Sequence, residues 1–494
     1  MTLKTLEPSS GTDIKPIIHA VVLAAGKGKR LSMPWPKVLS PLWGQTLLDY
    51  VFESIADFSS QQSVTLSLSL VVGHQAEMVM KDVKEKYLES YPQTHFVQQE
   101  SQLGTGHALQ CFIEEAKNRL NDEDFVLVIC GDTPLIKSSH ILVLYNELKK
   151  QPNLDAVAAT FQIDNPTGYG RIVKNSKDLG FEIREEKDAS FEEKKINEVN
   201  AGLYIIKTKF LREKLKLLKN LNNSQEYYLT DIFTTTSAVK NILFYQDAIS
   251  FLGVNDQEQL EVVSTEMKRR KIQDLRLTDR VFIPDSSQVH IDWKVKVGEG
   301  TILHSGTYLL GKTVIGKDCH IGPQVYLQNT ILEDSVTILP FSSLERAYCA
   351  RLVSVGPFAR LRPESRLDES VKIGNFVEVK KSHLKKGVKV SHLSYVGDAT
   401  IGQNSNIGCG FITCNYDGKN KHETTIGANT FIGSDCQAIA PIVIGDSAFV
   451  AAGTTITENV PSKAFAIGRS KQLTREGYAE RFLKHDPNAI ISQK

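Results

Sequence analysis

The sequence predicts two architectures in one chain, a doubly wound α/β domain in the first half and a parallel β-helix in the second. Before Asn255, short apolar segments alternate with helical segments. Between Val297 and Ile456, an aliphatic residue, usually followed by glycine, recurs every six residues. Helices repeat every 3.6 residues and simple strands every two, so a period of six is typical of hexapeptide turns in a β-helix.

The α/β prediction starts from an apolar run at residues 17–25, which ends in glycine. Such a run is expected for a strand that is buried on both faces of a parallel sheet. Further strands are predicted at 66–72, 125–130 and 155–161, with helical stretches between them. This alternation places a ligand site at the carboxyl ends of the strands.

The hexapeptide repeat is clearest near the end of the chain, where six aliphatic residues follow one another at intervals of six: Ile426, Ile432, Ala438, Ile444, Val450 and Ile456. No single turn buries its apolar side, so the turns must stack without interruption. Chance alternation in a β-rich domain is the alternative. The nineteen residues from Ile407 to Ile426 break the period, and we therefore expect a loop that leaves the coil around 415–418.

Composition restricts the classes of function. The chain has 494 residues with 58 basic and 57 acidic side chains, so bulk charge favours neither a nucleic-acid nor a membrane partner. The seven cysteines form no CxxC pair, which fits reduced thiols in the cytoplasm better than disulfides or a zinc site. No apolar run approaches ~18 residues, and the segment before Ile17 lacks the apolar core of a signal peptide.

The loop after the first predicted strand has the sequence LAAGKGKR at 23–30. Its glycines allow close backbone approach to a ligand, and its three cations suit phosphate. It lacks both the Walker pattern and a full GxGxxG fingerprint. From these residues alone, a phosphate-binding loop and an ordinary tight turn are equally good interpretations.

Further motifs follow in order: PKVL at 36–39, QLGTGHAL at 102–109, GDTPL at 131–135, PTGYGRI at 166–172 and GVND at 253–256. Together with LAAGKGKR they resemble nucleotide-sugar pyrophosphorylases. Joined to the hexapeptide repeat, they resemble the bacterial bifunctional family of N-acetylglucosamine-1-phosphate uridyltransferase and glucosamine-1-phosphate acetyltransferase. The resemblance covers residues from about 18 to 475.

The resemblance implies a Rossmann-like uridyltransferase domain at 18–254, a connector helix at 255–280 and a left-handed hexapeptide β-helix with acetyltransferase activity at 281–477. An N-terminal extension at 1–17 and a tail at 478–494 flank them. The implied enzyme acetylates glucosamine-1-phosphate with acetyl-CoA, then transfers uridylyl from UTP to N-acetylglucosamine-1-phosphate with Mg²⁺. The product, UDP-N-acetylglucosamine, serves envelope synthesis. The family also implies a cytoplasmic homotrimer.

Uridylyl transfer needs charge neutralisation and alignment more than a protein nucleophile. The resemblance implies that Arg30 and Lys37 supply the catalytic cations and that Asp132 and Asn255 hold the metal. Without the resemblance, Asp132 would be read as a turn residue or helix cap. The residues implied to bind UTP and the sugar nucleotide are Leu23, Ala24, Ala25, Gly26, Lys37, Gln99, Gly104, Thr105, Gly170, Glu185, Asn200 and Asn255.

Acetyl transfer to an amine needs a base that works near neutrality, and histidine suits that role. The resemblance identifies His392, one of twelve histidines, as this base, and suggests Glu378 as the residue that orients it. It implies that the sugar phosphate is bound by Arg362, Lys380, Tyr395 and Asn406. It implies that acetyl-CoA is bound by Cys409, Asn415, Tyr416, Ser434, Ala452 and Arg469.

Two positions depart from the family pattern. Cys130 stands where a commonly studied form has tyrosine, and Cys409 stands where alanine is frequent. Either Cys409 lines the donor pocket, or it points into the β-helix core as a small buried hydrophobe. Two other functions stay open: a monofunctional pyrophosphorylase with a trimerising β-helix, and a non-enzymatic regulator built on the same folds. Intact His392 argues against the first, and intact Asp132 against the second.

Overall fold

The computed structural model describes residues 17–28, 30–31, 33–62, 64–87, 94–175, 180–234 and 240–482. The predicted extension at 1–17 lies outside them except for Ile17, and the tail at 478–494 is described only to residue 482. The chain divides into two compact units, Met1–Lys271 and Ile272–Lys494. In the described part of the chain, no helix is long and apolar enough to cross a membrane.

The first unit is an α/β domain, as predicted. Its strands are β1 (Ile18–Leu23), β2 (Pro41–Leu42), β3 (Gln45–Thr46), β4 (Leu66–Val72), β5 (His95–Gln98), β6 (Phe125–Cys130), β7 (Ala156–Gln162), β8 (Arg171–Asn175), β9 (Gly180–Arg184), β10 (Glu198–Lys207) and β11 (Lys240–Tyr245). Its helices are α1 (Leu47–Gln62), α2 (Ala76–Tyr87), α3 (Thr105–Glu115), α4 (Ser138–Lys150) and α5 (Thr208–Leu215), and α6 (Gln257–Leu277), which corresponds to the predicted connector helix, begins in the first unit and ends in the second. Short 3-10 helices lie at Lys37–Leu39, Glu193–Lys195, Leu229–Phe233 and Ala248–Phe251.

The central strand β1 pairs in parallel with β4 on one side and β6 on the other. Its first five residues are buried, as the apolar run predicted for a strand covered on both faces. The sheet order is β11-β7-β10-β6-β1-β4-β5, and the β8–β9 hairpin joins it through β10. The sequence did not predict that β10 runs antiparallel to β6 and β7.

The second unit is the predicted β-helix, in which three faces are built only from parallel pairs. The first face contains His290–Ile291, Tyr308–Leu310, Tyr326–Gln328, Ser343–Glu345, Arg360–Leu361, Glu378–Lys380, Tyr395–Gly397, Ile412–Cys414, Gln437–Ile439 and Thr455–Ile456. The second contains Lys296–Val297, Val314–Ile315, Ile331–Leu332, Tyr348–Cys349, Arg366–Leu367, His383–Leu384, Ala399–Ile401, Thr424–Ile426 and Ile442–Ile444. The third contains Ile302–Leu303, His320–Ile321, Thr337–Ile338, Ser354–Val355, Lys372–Asn375, Lys389–His392, Asn406–Ile407, Phe431–Ile432, Phe449–Val450 and Phe465–Ala466.

One inward residue per strand forms the core of the β-helix. On the first face, for example, Leu309 pairs with Leu327, which pairs with Leu344, and all three are fully buried. Coils stack so closely that a Cβ on Gly374 would lie 1.8 Å from the Ser391 carbonyl oxygen, so only glycine fits there. This architecture of short parallel strands is the hexapeptide β-helix that the period of six predicted, and it is consistent with the left-handed form that the resemblance implied.

Candidate active sites

The first site lies where strands β1 and β6 end. Leu23 is in register with Cys130, and the Gly131 amide donates to the Leu23 carbonyl at 2.9 Å. Loop 24–26 and Asp132 are therefore neighbours at the carboxyl edge of the sheet, where a parallel sheet binds its ligands. A cavity of about 270 Å³ opens there, lined by Leu23, Ala24, Ala25, Gly26, Lys37, Val38, Val71, Gln99, Gln102, Gly104, Thr105, Ala108, Cys130, Asp132 and Glu226.

One cationic group joins two oxygen donors at the end of this cavity. The Lys37 ammonium contacts the Asp132 carboxylate and lies 3.0 Å from Asn255 Oδ1. The Lys37 and Asp132 side chains are only 14% and 16% exposed, so their charges are poorly screened. Because both oxygens approach one positive centre, they suit a hard cation that completes its shell with phosphate oxygens and water. No group of three or more His, Cys, Asp or Glu side chains fit for a metal occurs in the described residues.

Gln99, Gly104 and Thr105 form the opposite wall of the cavity. The Gln99 amide donates to the Gly104 carbonyl at 3.0 Å and lies 3.1 Å from His107 Nδ1, so its orientation is fixed. Gly104 has φ of +102°, and a Cβ there would lie 2.6 Å from the Tyr227 carbonyl oxygen. This wall therefore holds amide and carbonyl groups in fixed positions, as hydrogen bonding to a pyrimidine edge requires.

Glu185, Asn200 and Gly170 come together beside the cavity. A Cβ on Gly170 would lie 3.6 Å from both Glu185 Oε1 and the Asn200 Cβ, and the backbone N–H of Asn200 donates to the Gly170 carbonyl at 2.8 Å. Burial raises the pKa of Glu185, whose Oε1 accepts the Thr230 hydroxyl at 2.8 Å. The three residues provide a carboxyl group, an amide and a backbone carbonyl in one place, which suits a polyhydroxylated ligand.

The second site begins at His392, the last residue of its third-face strand. The strand registers place His392 beside Asn375, and His392 Nδ1 lies 3.0 Å from Asn375 Oδ1. An amide oxygen only accepts, so this contact puts the imidazole proton on Nδ1 and leaves the Nε2 lone pair free. Since His392 is exposed, Nε2 can accept a proton from a bound amine.

Arg362 and Lys380 lie across the first face from His392. Arg362 Nη1 is 3.0 Å from Glu378 Oε1. Lys421, just beyond the predicted loop at 415–418, lies close enough to Lys380 that its like charge lowers the pKa of the Lys380 ammonium. Glu378, suggested as the residue that orients His392, is in register with Tyr395 and pairs with Arg362, whereas the imidazole of His392 contacts Asn375. Three cations with one partnering carboxylate suit an anionic group such as a phosphate.

Four of the residues predicted for acetyl-CoA line up on successive coils. The Cys409 carbonyl accepts from the Asp435 amide, and the Ser434 carbonyl accepts from the Gly453 amide at 2.8 Å. Arg469 Nη1 donates to the Ala452 carbonyl at 2.5 Å. Cys409, Ser434, Ala452 and Arg469 are all exposed, so they form one continuous strip along the solenoid. The exposure of Cys409 excludes the interpretation that it is a core residue.

The residues predicted for the acetyltransferase site lie at two different corners of the β-helix. The His392 corner, where the chain passes from the third face to the first, carries the strip that starts at Cys409. The Arg362 corner, where it passes from the first face to the second, carries the predicted loop. There Asn415 donates to Asp398 at 2.5 Å, and Tyr416 is 61% exposed. The residues predicted for acetyl-CoA therefore lie on opposite edges of the first face of one chain.

Comparison with curated proteins decides the family. Bifunctional protein GlmU of Clostridioides difficile (strain 630) is 39% identical over 465 residues, which cover 94% of this chain and 97% of that protein. Bifunctional protein GlmU of Carboxydothermus hydrogenoformans is 42% identical over 468 residues, 94% of this chain and 100% of that protein.

The chain belongs to the GlmU family. Family models agree with the two units: a MobA-like NTP transferase domain matches residues 20–185, and a bacterial transferase hexapeptide model matches 294–329. A model for the hexapeptide repeat of succinyl-transferase matches 423–458. As a GlmU protein, this chain is a bifunctional enzyme with a nucleotidyltransferase and a hexapeptide acetyltransferase, and its substrates are small molecules that include nucleotide sugars.

The structure also adds GlmU residues that sequence reasoning missed. Gln102 and Glu226 line the first cavity, together with the already noted Cys130, and Asn375 and Lys421 lie at the second site. Gln102 lies within a quoted motif and could have been found there. Asn375 could not, because its contact with His392 depends on the register between two coils.

Two predicted site residues lie apart from these contacts. Arg30 is exposed and lies outside the lining of the cavity, and Asn406 is in register with Lys389.

Proposed function

We propose that the solenoid acetylates glucosamine-1-phosphate with acetyl-CoA and that the α/β domain then transfers uridylyl from UTP to N-acetylglucosamine-1-phosphate, with Mg²⁺ as the divalent metal. The observation that carries the uridyltransferase proposal is the Lys37 ammonium between Asp132 and Asn255 at the end of the cavity. An enzyme that displaces pyrophosphate needs a cation and metal ligands at one point, and Lys37 with the oxygens of Asp132 and Asn255 would supply both.

In uridylyl transfer, a phosphate oxygen of the sugar phosphate attacks the α-phosphorus of UTP, and pyrophosphate leaves. Asp132 and Asn255 would hold the magnesium ion, which neutralises phosphate charge when bound. Lys37 adds a fixed positive charge, and Arg30 is proposed to bind the leaving phosphates. Gln99, Gly104 and Thr105 would bind the uridine, while Glu185 and Asn200 would bind the hydroxyl and N-acetyl groups of the sugar.

In acetyl transfer, the amine of glucosamine-1-phosphate attacks the thioester carbonyl, and coenzyme A leaves as the thiol. His392 Nε2 would remove the proton from the attacking amine, since Asn375 keeps the other ring nitrogen protonated. Arg362, Lys380 and Lys421 would bind the sugar phosphate, with Tyr395 and Asn406 on its hydroxyl groups. The exposed strip from Cys409 to Arg469 would bind acetyl-CoA, with the Arg469 guanidinium near a phosphate.

We also propose a homotrimer in which a second chain completes each acetyltransferase site. Asn415 and Tyr416 lie on the edge of the first face opposite to the strip at Cys409, so a neighbouring chain would bring them to the donor. Four apolar side chains support an interface next to the base: Phe341, Phe358, Phe376 and Leu393 are 54%, 48%, 57% and 60% exposed. The three phenyl rings stack at 5.0 and 5.4 Å, and an exposed apolar ladder of this kind is typical of a contact surface.

One assay tests the proposed function. The purified protein would be incubated with glucosamine-1-phosphate, acetyl-CoA, UTP and Mg²⁺, and the products followed by mass spectrometry. We expect coenzyme A first and then UDP-N-acetylglucosamine with pyrophosphate. Uridylyl transfer to N-acetylglucosamine-1-phosphate without acetylation of the amine would favour a monofunctional pyrophosphorylase. Failure of both reactions would favour the non-enzymatic regulator.

A further inference from the structure

An ion pair between a buried arginine and a half-buried glutamate lies next in the chain to the residues proposed to bind the sugar. Arg171, the first residue of β8, is 1% exposed, and its Nη2 lies 2.6 Å from Glu186 Oε2. Burying a guanidinium is costly, and one carboxylate offsets the cost only when the geometry is good. The Arg171 Nε has no hydrogen-bond partner, so the arrangement is not optimised for stability alone.

The pair holds the loop at 165–170 from two sides. Arg171 Nη1 donates to the Tyr169 carbonyl, and Glu186 Oε2 also accepts the Gly168 amide at 3.3 Å. Glu186 directly follows Glu185 in the chain, and Gly170 directly precedes Arg171. The same ion pair therefore sets the separation between Gly170 and Glu185, which lie on the two sides of the proposed sugar site.

Tyr169 connects this loop to the metal end of the first site. Its ring packs edge-on against Phe161 at 5.5 Å, and its hydroxyl hydrogen bonds with the backbone of Gly253. A Cβ on Gly253 would lie 3.7 Å from Asp132 Oδ1, so the contact is next to the proposed metal ligand. A shift of loop 165–170 would therefore move Gly170 at the proposed sugar site directly. It would affect Asp132 only through the contact between the Tyr169 hydroxyl and Gly253.

We propose that Arg171 and Glu186 are positioning residues for the sugar phosphate: the ion pair of the buried Arg171 with Glu186 fixes loop 165–170 so that Gly170, Glu185 and Asn200 stay at the spacing the sugar needs. The inference rests on the proposed uridyltransferase function and adds two residues that do not touch the substrate. Loosening the pair should weaken binding of N-acetylglucosamine-1-phosphate more than binding of UTP, because the uridine wall at Gln99 and Gly104 has its own hydrogen bonds.

The deciding variant is Glu186→Gln, which keeps the size of the side chain and an oxygen acceptor for the Gly168 amide but removes the charge. We expect the KM for N-acetylglucosamine-1-phosphate to rise about tenfold, as loss of a charge-assisted hydrogen bond predicts, while the KM for UTP changes less than about twofold. Arg171→Lys keeps the charge but loses the planar fork and should give a smaller rise in the same KM.

Glu182→Gln is the matched control, because Glu182 pairs with Arg184 at 2.9 Å on the same hairpin but both side chains are about 40% exposed. It should leave both KM values unchanged. Acetyl transfer by each preparation reports whether the rest of the protein is intact. An unchanged sugar KM in Glu186→Gln, or equal rises for sugar and UTP, would overturn the inference.

If Arg171→Lys fails to fold, Glu186→Gln still decides, and an apolar replacement of both partners provides a second folded variant, since buried pairs often tolerate such exchange. A folded double variant with a wild-type sugar KM would also overturn the inference. The two proposals fail differently. If the wild-type protein makes no UDP-N-acetylglucosamine, the proposed function is wrong, whereas normal wild-type activity with unresponsive variants refutes only the positioning role.

Discussion

Replacing Asp132 by asparagine tests the centre of the uridyltransferase site. Asparagine has the same shape and can still accept the Lys37 contact, so the fold should be preserved. The change removes the only carboxylate in the pair of oxygen donors that meet at Lys37, leaving two neutral amides to hold a divalent cation. An amide is a much weaker ligand for a hard cation than a carboxylate.

The size of the effect follows from the lost charge. Asp132 is only 16% exposed, so solvent screens its interaction with a metal poorly. A loss of about 3 kcal/mol of transition-state stabilisation would lower the rate of uridylyl transfer by roughly two orders of magnitude. Acetyl transfer should keep its wild-type rate, because Asp132 and His392 belong to different units.

The assay measures pyrophosphate release and coenzyme A release separately, over a range of Mg²⁺ concentrations. Asp256→Asn is the matched control, since Asp256 is next to Asn255 but accepts the Gln259 amide at 2.9 Å as a helix cap, a role that asparagine also fills. The control should retain uridylyl transfer. Near-normal pyrophosphate release by Asp132→Asn at saturating Mg²⁺ would refute the metal assignment.

Four further outcomes are expected. Asn375→Ala should reduce the kcat of acetyl transfer at least about tenfold, because the imidazole loses the acceptor that fixes its tautomer, and uridylyl transfer in the same sample serves as the control. Phe358→Ser should abolish the trimer by light scattering together with acetyl transfer but spare uridylyl transfer; a fully active monomer would contradict the shared site. Alkylation of Cys409 should block acetyl transfer, and prior acetyl-CoA should slow labelling in peptide maps, whereas labelling indifferent to acetyl-CoA would remove this thiol from the donor site. Glu266→Gln should destabilise the α/β domain near neutral pH by about 1 kcal/mol in denaturant titrations, because hydrogen bonds from Arg269 and then Arg270 lower the pKa of Glu266 from 4.5 to about 2, while solvent screens the exposed Arg269. This contribution is complete above pH 4.5 and is lost as the pH falls toward 2, so an equal difference between variant and wild type near neutral pH and near the lower limit would refute it.

Local sequence determined much of the fold. The predicted strands at 66–72 and 125–130 have the observed bounds, and the predicted 17–25 and 155–161 differ from Ile18–Leu23 and Ala156–Gln162 only at their ends. These segments are apolar throughout, and full burial of a central strand follows from that composition. The repeat of six similarly determined the β-helix, because each turn contributes one inward aliphatic residue whatever its other residues are. The loop at 415–418 followed from a broken period.

The antiparallel strand β10 shows what local sequence did not determine. Its residues suit a buried strand in either direction, and its orientation follows from pairing with β6 and β7, which are distant in the chain. The ion-pair partners of charged side chains are likewise decided by contacts between segments that are distant in the chain. Glu378 was suggested to orient His392, but the register between adjacent coils places it beside Tyr395, and its Oε1 lies 3.0 Å from Arg362 Nη1.

The sequence by itself therefore determined the two architectures and the carboxyl edge that carries Asp132, because each depends on periodicity or on residues that are close in the chain, whereas His392 was proposed as the base only through the resemblance to the family. Only the tertiary structure decided that Lys37 meets both Asp132 and Asn255, that Asn375 fixes the imidazole, and that Arg171 is buried against Glu186. Such contacts join residues separated by up to 218 positions. They arise from the register and packing of whole strands, which no local pattern encodes.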